Sequence, residues 1–138
     1  MSSEVISEII EARLPSRYEP LLLTFYEDGL RESGNLIIFG DDYGTDLCLN
    51  LDDGCIYSVD PKNELPTRFV NSNVELLAQC LLAHRRYQNH LTQTHSEEEQ
   101  LQAVGNLRAE LISVDSNVFK NPENWWAVMF EQIGDDLL

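Results

Sequence analysis

Three aspartates gather within a six-residue stretch, Asp41, Asp42 and Asp46, beside Gly40 and Gly44. Carboxylates so spaced suit two kinds of chemistry. Hard oxygen ligands hold divalent cations, and paired acids do general acid/base work when one is buried and the other solvated. The sequence favours neither. The run lacks the D-x-D-x-D-G spacing with a distal glutamate, and nothing sets one acid apart from its neighbours. GDDYG is not a phosphate cradle, which needs a lysine and a helix amino terminus after its glycines. His84 and His90 are six apart on one expected helix and point to different sides. His95 falls in an interhelical loop, so all three histidines are expected to be solvated or near helix caps. Cys48, Cys55 and Cys80 are odd in number, form no C-x-x-C pair, and sit among apolar neighbours. They read as structural thiols. The expectation is a chain with no catalytic residue, no metal site and no cofactor. The carboxylates then either serve loop amides and turns or form a surface that binds a partner.

Charge bears on that choice. The 138 residues carry 9 Lys+Arg against 24 Asp+Glu, a net charge of −15. Residues 1–60 hold 13 of the acids and only 3 of the bases. Such a surface repels nucleic acid, which needs cationic side chains to displace its counterions. It repels anionic membranes for the same reason. It attracts a basic protein and speeds the encounter, although the same charge also serves plain solubility. No signal-like amino terminus and no membrane-spanning run is seen, so the expected compartment is the cytoplasm.

The elements that must position these residues follow from periodicity. Residues 3–13 read as a short amphipathic helix, with Val5, Ile6, Ile9 and Ile10 on one face. Leu21–Tyr26 is apolar and fits either a strand or a short helix. Leu36–Phe39 reads as a buried strand ending at Gly40. Thr45–Leu51 and Cys55–Val59 alternate as a hairpin. A three-residue loop with Gly54 left-handed places Leu51, Leu49 and Leu47 opposite Cys55, Tyr57 and Val59, one continuous apolar face. A further strand is expected at Thr67–Val70. Ser72-x-x-Glu75 reads as a capping box opening a helix over 73–91, and Ser96-x-x-Glu99 as a second one. The second opens a helix with Leu101, Val104, Leu107 and Leu111 as its stripe. Asn121-Pro122 reads as the cap of a last helix that Gly134 stops. Short strands flanked by helices, without βαβ alternation, give the α+β class, in one domain over residues 1–138.

Trp125 and Trp126 are adjacent in that last helix. Neighbours on a helix diverge by about 100°. Either the helix is covered on more than one side, or one ring is left as an aromatic anchor for a partner.

Three segments together carry a resemblance. GDDYGTDLCLNLDDGCIYSVD, then FVNSN at a helix start, then NPENWWAVMFEQI, resemble the SUKH superfamily of immunity proteins and, at the last segment, its fourth group. The likeness runs from about Ile37 to Ile133, with Gly40, Gly44, Asp52, Gly54, Tyr57, Asn71, Ser72 and Trp126 as its anchors. It implies a mostly antiparallel central sheet with flanking helices. It implies a bacterial antitoxin that binds and neutralises a cognate polymorphic toxin with a basic surface, a nuclease or nucleic-acid deaminase. The alternative is an interaction module in a regulatory assembly with no toxin partner. On either reading Asp41, Asp42, Tyr43, Asp46 and Trp125 are the candidate partner-binding residues. Oligomeric state is left open.

Overall fold

The computed structural model describes residues 13–26 and 30–137. The expected helix at 3–13 lies outside these residues except for Arg13. Seven strands form one sheet: β1 (Arg17–Tyr18), β2 (Leu23–Phe25), β3 (Arg31–Ser33), β4 (Leu36–Asp42), β5 (Thr45–Asn50), β6 (Ile56–Val59) and β7 (Arg68–Asn71). Every pairing is antiparallel. The order is β1-β2-β4-β5-β6-β7, and β3 shares the β2 edge of β4, pairing with its first half. Helices α1 (Val74–Leu91), α2 (Glu97–Val114) and α3 (Trp125–Leu137) complete an α+β fold. None of the described helices is long and apolar enough to cross a membrane.

One face of the sheet meets the helices. Leu23, Phe25, Ile37, Phe39, Leu47, Leu49, Ile56 and Val70 pack there against Leu77, Leu81, Leu107, Leu111 and Trp126. Each such side chain, fully buried, contributes roughly 1.5–3 kcal/mol. Gly40 lies where β2 crosses β4 closely. A Cβ there would stand 2.4 Å from the Thr24 carbonyl oxygen, so only glycine fits.

The stretch expected as a glycine-rich acidic loop is mostly strand. Gly40, Asp41 and Asp42 end β4, and a two-residue turn, Tyr43-Gly44, leads into β5. Both turn residues have positive φ, 42° and 122°, as tight hairpins require. The β5–β6 hairpin also differs. Gly54 is left-handed as expected, at φ 74°. However, Leu49 opposes Ile56 and Leu47 opposes Ser58, a register two residues wider in its loop than a two-residue turn. Asn50 causes this. Its side-chain oxygen accepts the amides of Asp52 and Asp53 at 2.8 and 3.3 Å, and its carbonyl accepts the Gly54 amide at 2.8 Å. Leu51 therefore belongs to the loop and is 43 % exposed.

Helix starts also shift. Asn73, not Ser72, caps α1, its side chain accepting the Leu76 amide at 2.8 Å. Ser96 caps α2 as expected. Within α2 the buried residues are Ala103, Leu107 and Leu111, while Leu101 is exposed, because the helix meets α1 along a narrower stripe than its apolar pattern. Asn121 caps a turn before α3, accepting the Glu123 amide at 2.9 Å, and α3 begins at Trp125. It runs past Gly134 to Leu137.

Candidate partner-binding hairpin

Strand alternation sends the acidic side chains of β4 to opposite faces. Asp41 and Asp46 are directly paired across β4–β5 and share the face away from the helices. Asp41 accepts a 2.8 Å hydrogen bond from the Tyr26 hydroxyl, and Asp46 lies 3.8 Å from Arg31. Burial, reinforced by the Asp41 carboxylate, pushes the Tyr26 hydroxyl up to about 12. Asp46 is only 18 % exposed, less than an unpartnered surface acid.

Asp42 turns to the helix face with Thr45, Ser58 and Arg68. Its carboxylate accepts the indole N–H of Trp125 at 2.6 Å. Burial raises the Asp42 acid above its usual range, the Trp125 bond lowers it, and neighbouring Asp41 raises it. Asp42 thus does not share one surface with the other two acids, because adjacent strand residues cannot share a face. Trp125 is 5 % and Trp126 0 % exposed, their rings edge-to-face at 4.9 Å. Tyr43, at the turn, is 84 % exposed. So the structure brings Asp42, Tyr43 and Trp125 together at the hairpin's helix side and leaves Asp41 and Asp46 on the other.

Asp53 serves the second hairpin. The Tyr57 hydroxyl donates to it at 2.7 Å, holding its acid below the usual range and pushing Tyr57 up to about 12. Among the described residues no three His, Cys, Asp or Glu side chains gather at metal-binding distance. Cys48 and Cys80 are buried, and burial pushes their thiols up to about 11 and about 12.

Two polar groups were not legible beforehand. His84 is buried rather than solvated. Its Nδ1 shares a 2.7 Å hydrogen bond with the Tyr18 hydroxyl, and desolvation lowers its ring to about 4. Asp115 is the other. It accepts from the Asn71 side chain (3.1 Å), the Ser72 amide (2.8 Å), the Ser72 hydroxyl (2.8 Å) and the Asn117 amide (3.3 Å). Asn71 in turn accepts the Trp126 indole N–H at 2.9 Å. This buried knot ties β7 to α1, α2 and α3. Its only sequence signal is the adjacency of Asn71 and Ser72 to a helix start.

Compared with known proteins, the chain matches a family model described as SUKH-4 immunity protein over residues 24–132. No curated protein and no solved structure matches.

Proposed function

The chain belongs to the SUKH-4 immunity protein family, and on that premise we propose that it is a cytoplasmic, non-enzymatic antitoxin whose β4–β5 hairpin binds a basic toxin. The toxin class proposed is a nuclease or nucleic-acid deaminase, whose own anionic substrate demands a cationic cleft. An acidic hairpin placed in such a cleft excludes the substrate by charge and by bulk, and needs no turnover.

One observation supports the hairpin most. Asp41 and Asp46 are direct cross-strand partners of like charge. Like charges so placed destabilise a free sheet. Tyr26 donates to Asp41 and Arg31 lies near Asp46, and a partner's lysine or arginine set between the two carboxylates would relieve their repulsion directly. Asp41, Asp46 and Tyr43 meet the toxin directly; Asp42 and Trp125 hold the turn from behind.

The test pairs the chain with the toxin domain that co-purifies with it from its native cell. Asp41→Asn and Asp46→Asn together should leave thermal stability equal or higher, yet weaken protection of cells and slow association with the toxin. Rim charges act mainly on the association rate. Unchanged protection by a folded double variant would move the binding face elsewhere.

A further inference from the structure

Two bulky residues beside the hairpin sit in a backbone conformation that disfavours them. Leu22 has φ 57° and Tyr43 has φ 42°. Left-handed backbone disfavours a residue with a β-carbon, and glycine would avoid that cost. Both side chains nevertheless project outward, Leu22 60 % and Tyr43 84 % exposed. The two turns require this backbone, Leu22 closing a turn through its amide on the Glu19 carbonyl, but neither turn requires a bulky apolar side chain, and such strain gathers at functional sites.

The two residues line one groove. It has a volume of about 400 Å³ and is lined by Leu22, Tyr43, Leu65, Asp42, Trp125 and Met129, among others. Leu65 is 58 % exposed, so this groove takes three of the six large apolar residues exposed among the described residues. Leu22 and Tyr43 also wall a neighbouring hollow of about 360 Å³ that contains Asp41. They form a ridge with one aspartate on either side.

Both arginines of this surface already have an acidic neighbour. Arg68, in the groove, is engaged by the carbonyl and carboxylate of Glu123 at 2.7 and 3.0 Å. Arg17, in the hollow, lies 3.8 Å from Glu19. Among the described residues no cation pairs with Asp41 or Asp42 within 4.0 Å.

We propose that the Leu22–Tyr43 ridge and its groove dock a protein segment in which a bulky apolar side chain is flanked by lysine or arginine. The apolar side chain enters beside Tyr43 and Leu65, over Trp125. The flanking cations meet Asp42 on one side of the ridge and Asp41 on the other. This rests on the reading of the hairpin as the partner-binding edge, and adds the apolar anchor and the form of the ligand.

The probe is a phage-displayed random peptide library panned on the full chain, followed by a synthetic peptide of the selected sequence. The expected selection is an aromatic or aliphatic residue next to Lys or Arg. The peptide should shift amide resonances at Leu22, Tyr43 and Leu65. Tyr43→Gly and Leu22→Gly should each weaken it about tenfold or more, as anchor residues do, without lowering thermal stability. Asp42→Asn keeps an acceptor for Trp125 and should reduce the preference for basic over neutral flanks. Selection of acidic or featureless peptides, shifts on another face, or full binding by both glycine variants would each overturn the proposal. So would concentration-dependent self-association abolished by Tyr43→Gly, which would make the ridge a seam between copies. The two readings fail separately. If cell protection ignores the hairpin acids while the peptide still docks, the immunity reading of the hairpin falls alone. If protection needs those acids but no basic–apolar peptide is selected, the groove proposal falls alone.

Discussion

Acidifying the protein should destabilise it through one residue, His84. The ring is 1 % exposed, and burial lowers it from 6.5 to about 4. Its folded value therefore lies below its unfolded one. As pH falls, the unfolded chain takes the proton first, so the stability present above about pH 6.5 is lost progressively down to about pH 4. One unit is worth about 1.36 kcal/mol, so the full window is worth roughly 3 kcal/mol, a large part of the about 5–15 kcal/mol of a typical domain. Other groups titrate nearby. Asp53 and Asp60 are held low by hydrogen bonds and lose their contribution only as pH falls through the ordinary carboxylate range and below. Asp42, raised by burial, works in the opposite sense, and protonation also relaxes the repulsion within a chain of net charge −15. These contributions are common to the wild type and to His84→Gln, which keeps a polar partner for Tyr18 and removes the titration. The measurement is urea unfolding of both proteins between about pH 7 and about pH 4. The gap between them should close by roughly 3 kcal/mol as pH falls. Parallel curves, or a His84 resonance titrating near 6.5 in the folded protein, would refute the reasoning.

Asp115→Ala should destabilise by about 3 kcal/mol or more in urea unfolding, because it orphans the buried donor of Asn71 and the partly buried donors of Ser72 together; Ser72→Ala should cost much less. Gly40→Ala should be far worse than Gly54→Ala. The first drives a Cβ into the Thr24 carbonyl, while the second meets open space and carries only the left-handed cost of about 1–2 kcal/mol, which melting temperatures will rank. Association with the toxin should slow as salt rises, since the Debye length shrinks from about 10 Å at 0.1 M to about 3 Å at 1 M; a salt-independent rate, by stopped flow, would leave the acids as solubilising groups.

How far the sequence reaches depends on the distance over which each residue is satisfied. Ser96 and Gly54 answer to neighbours a few residues away, and both were legible. Ser72 looked like the cap of α1 by the same local rule, but Asp115, 43 residues later, recruits its hydroxyl and its amide, and Asn73 takes over the cap. The β5–β6 register failed because alternation counts Leu51 as strand, whereas Asn50 closes a loop around it. His84 read as solvated because it has no partner near it in the chain; α1 packs against both sheet and α2, and Tyr18 arrives from β1. At the candidate site, the positions of Asp41, Asp42 and Asp46 along the chain were clear. Their division between two faces was not, since that depends on strand pairing.

That division depends on the β-bulge in β4. Ile38 pairs with Cys48 and Gly40 with Leu47, leaving Phe39 as an extra residue whose ring stacks with Phe25. Plain alternation from Ile37 would have put Asp41 against Trp125 and Asp42 outside. Deleting Phe39 would close the bulge and leave Gly40, Asp41 and Asp42 opposite Leu47, Asp46 and Thr45 as before, so the two aspartates would keep their faces. The bulge thus works as slack in the chain: a change of one residue in the length of β4 can be taken up there, while the turn and the aim of the carboxylates beside it are conserved.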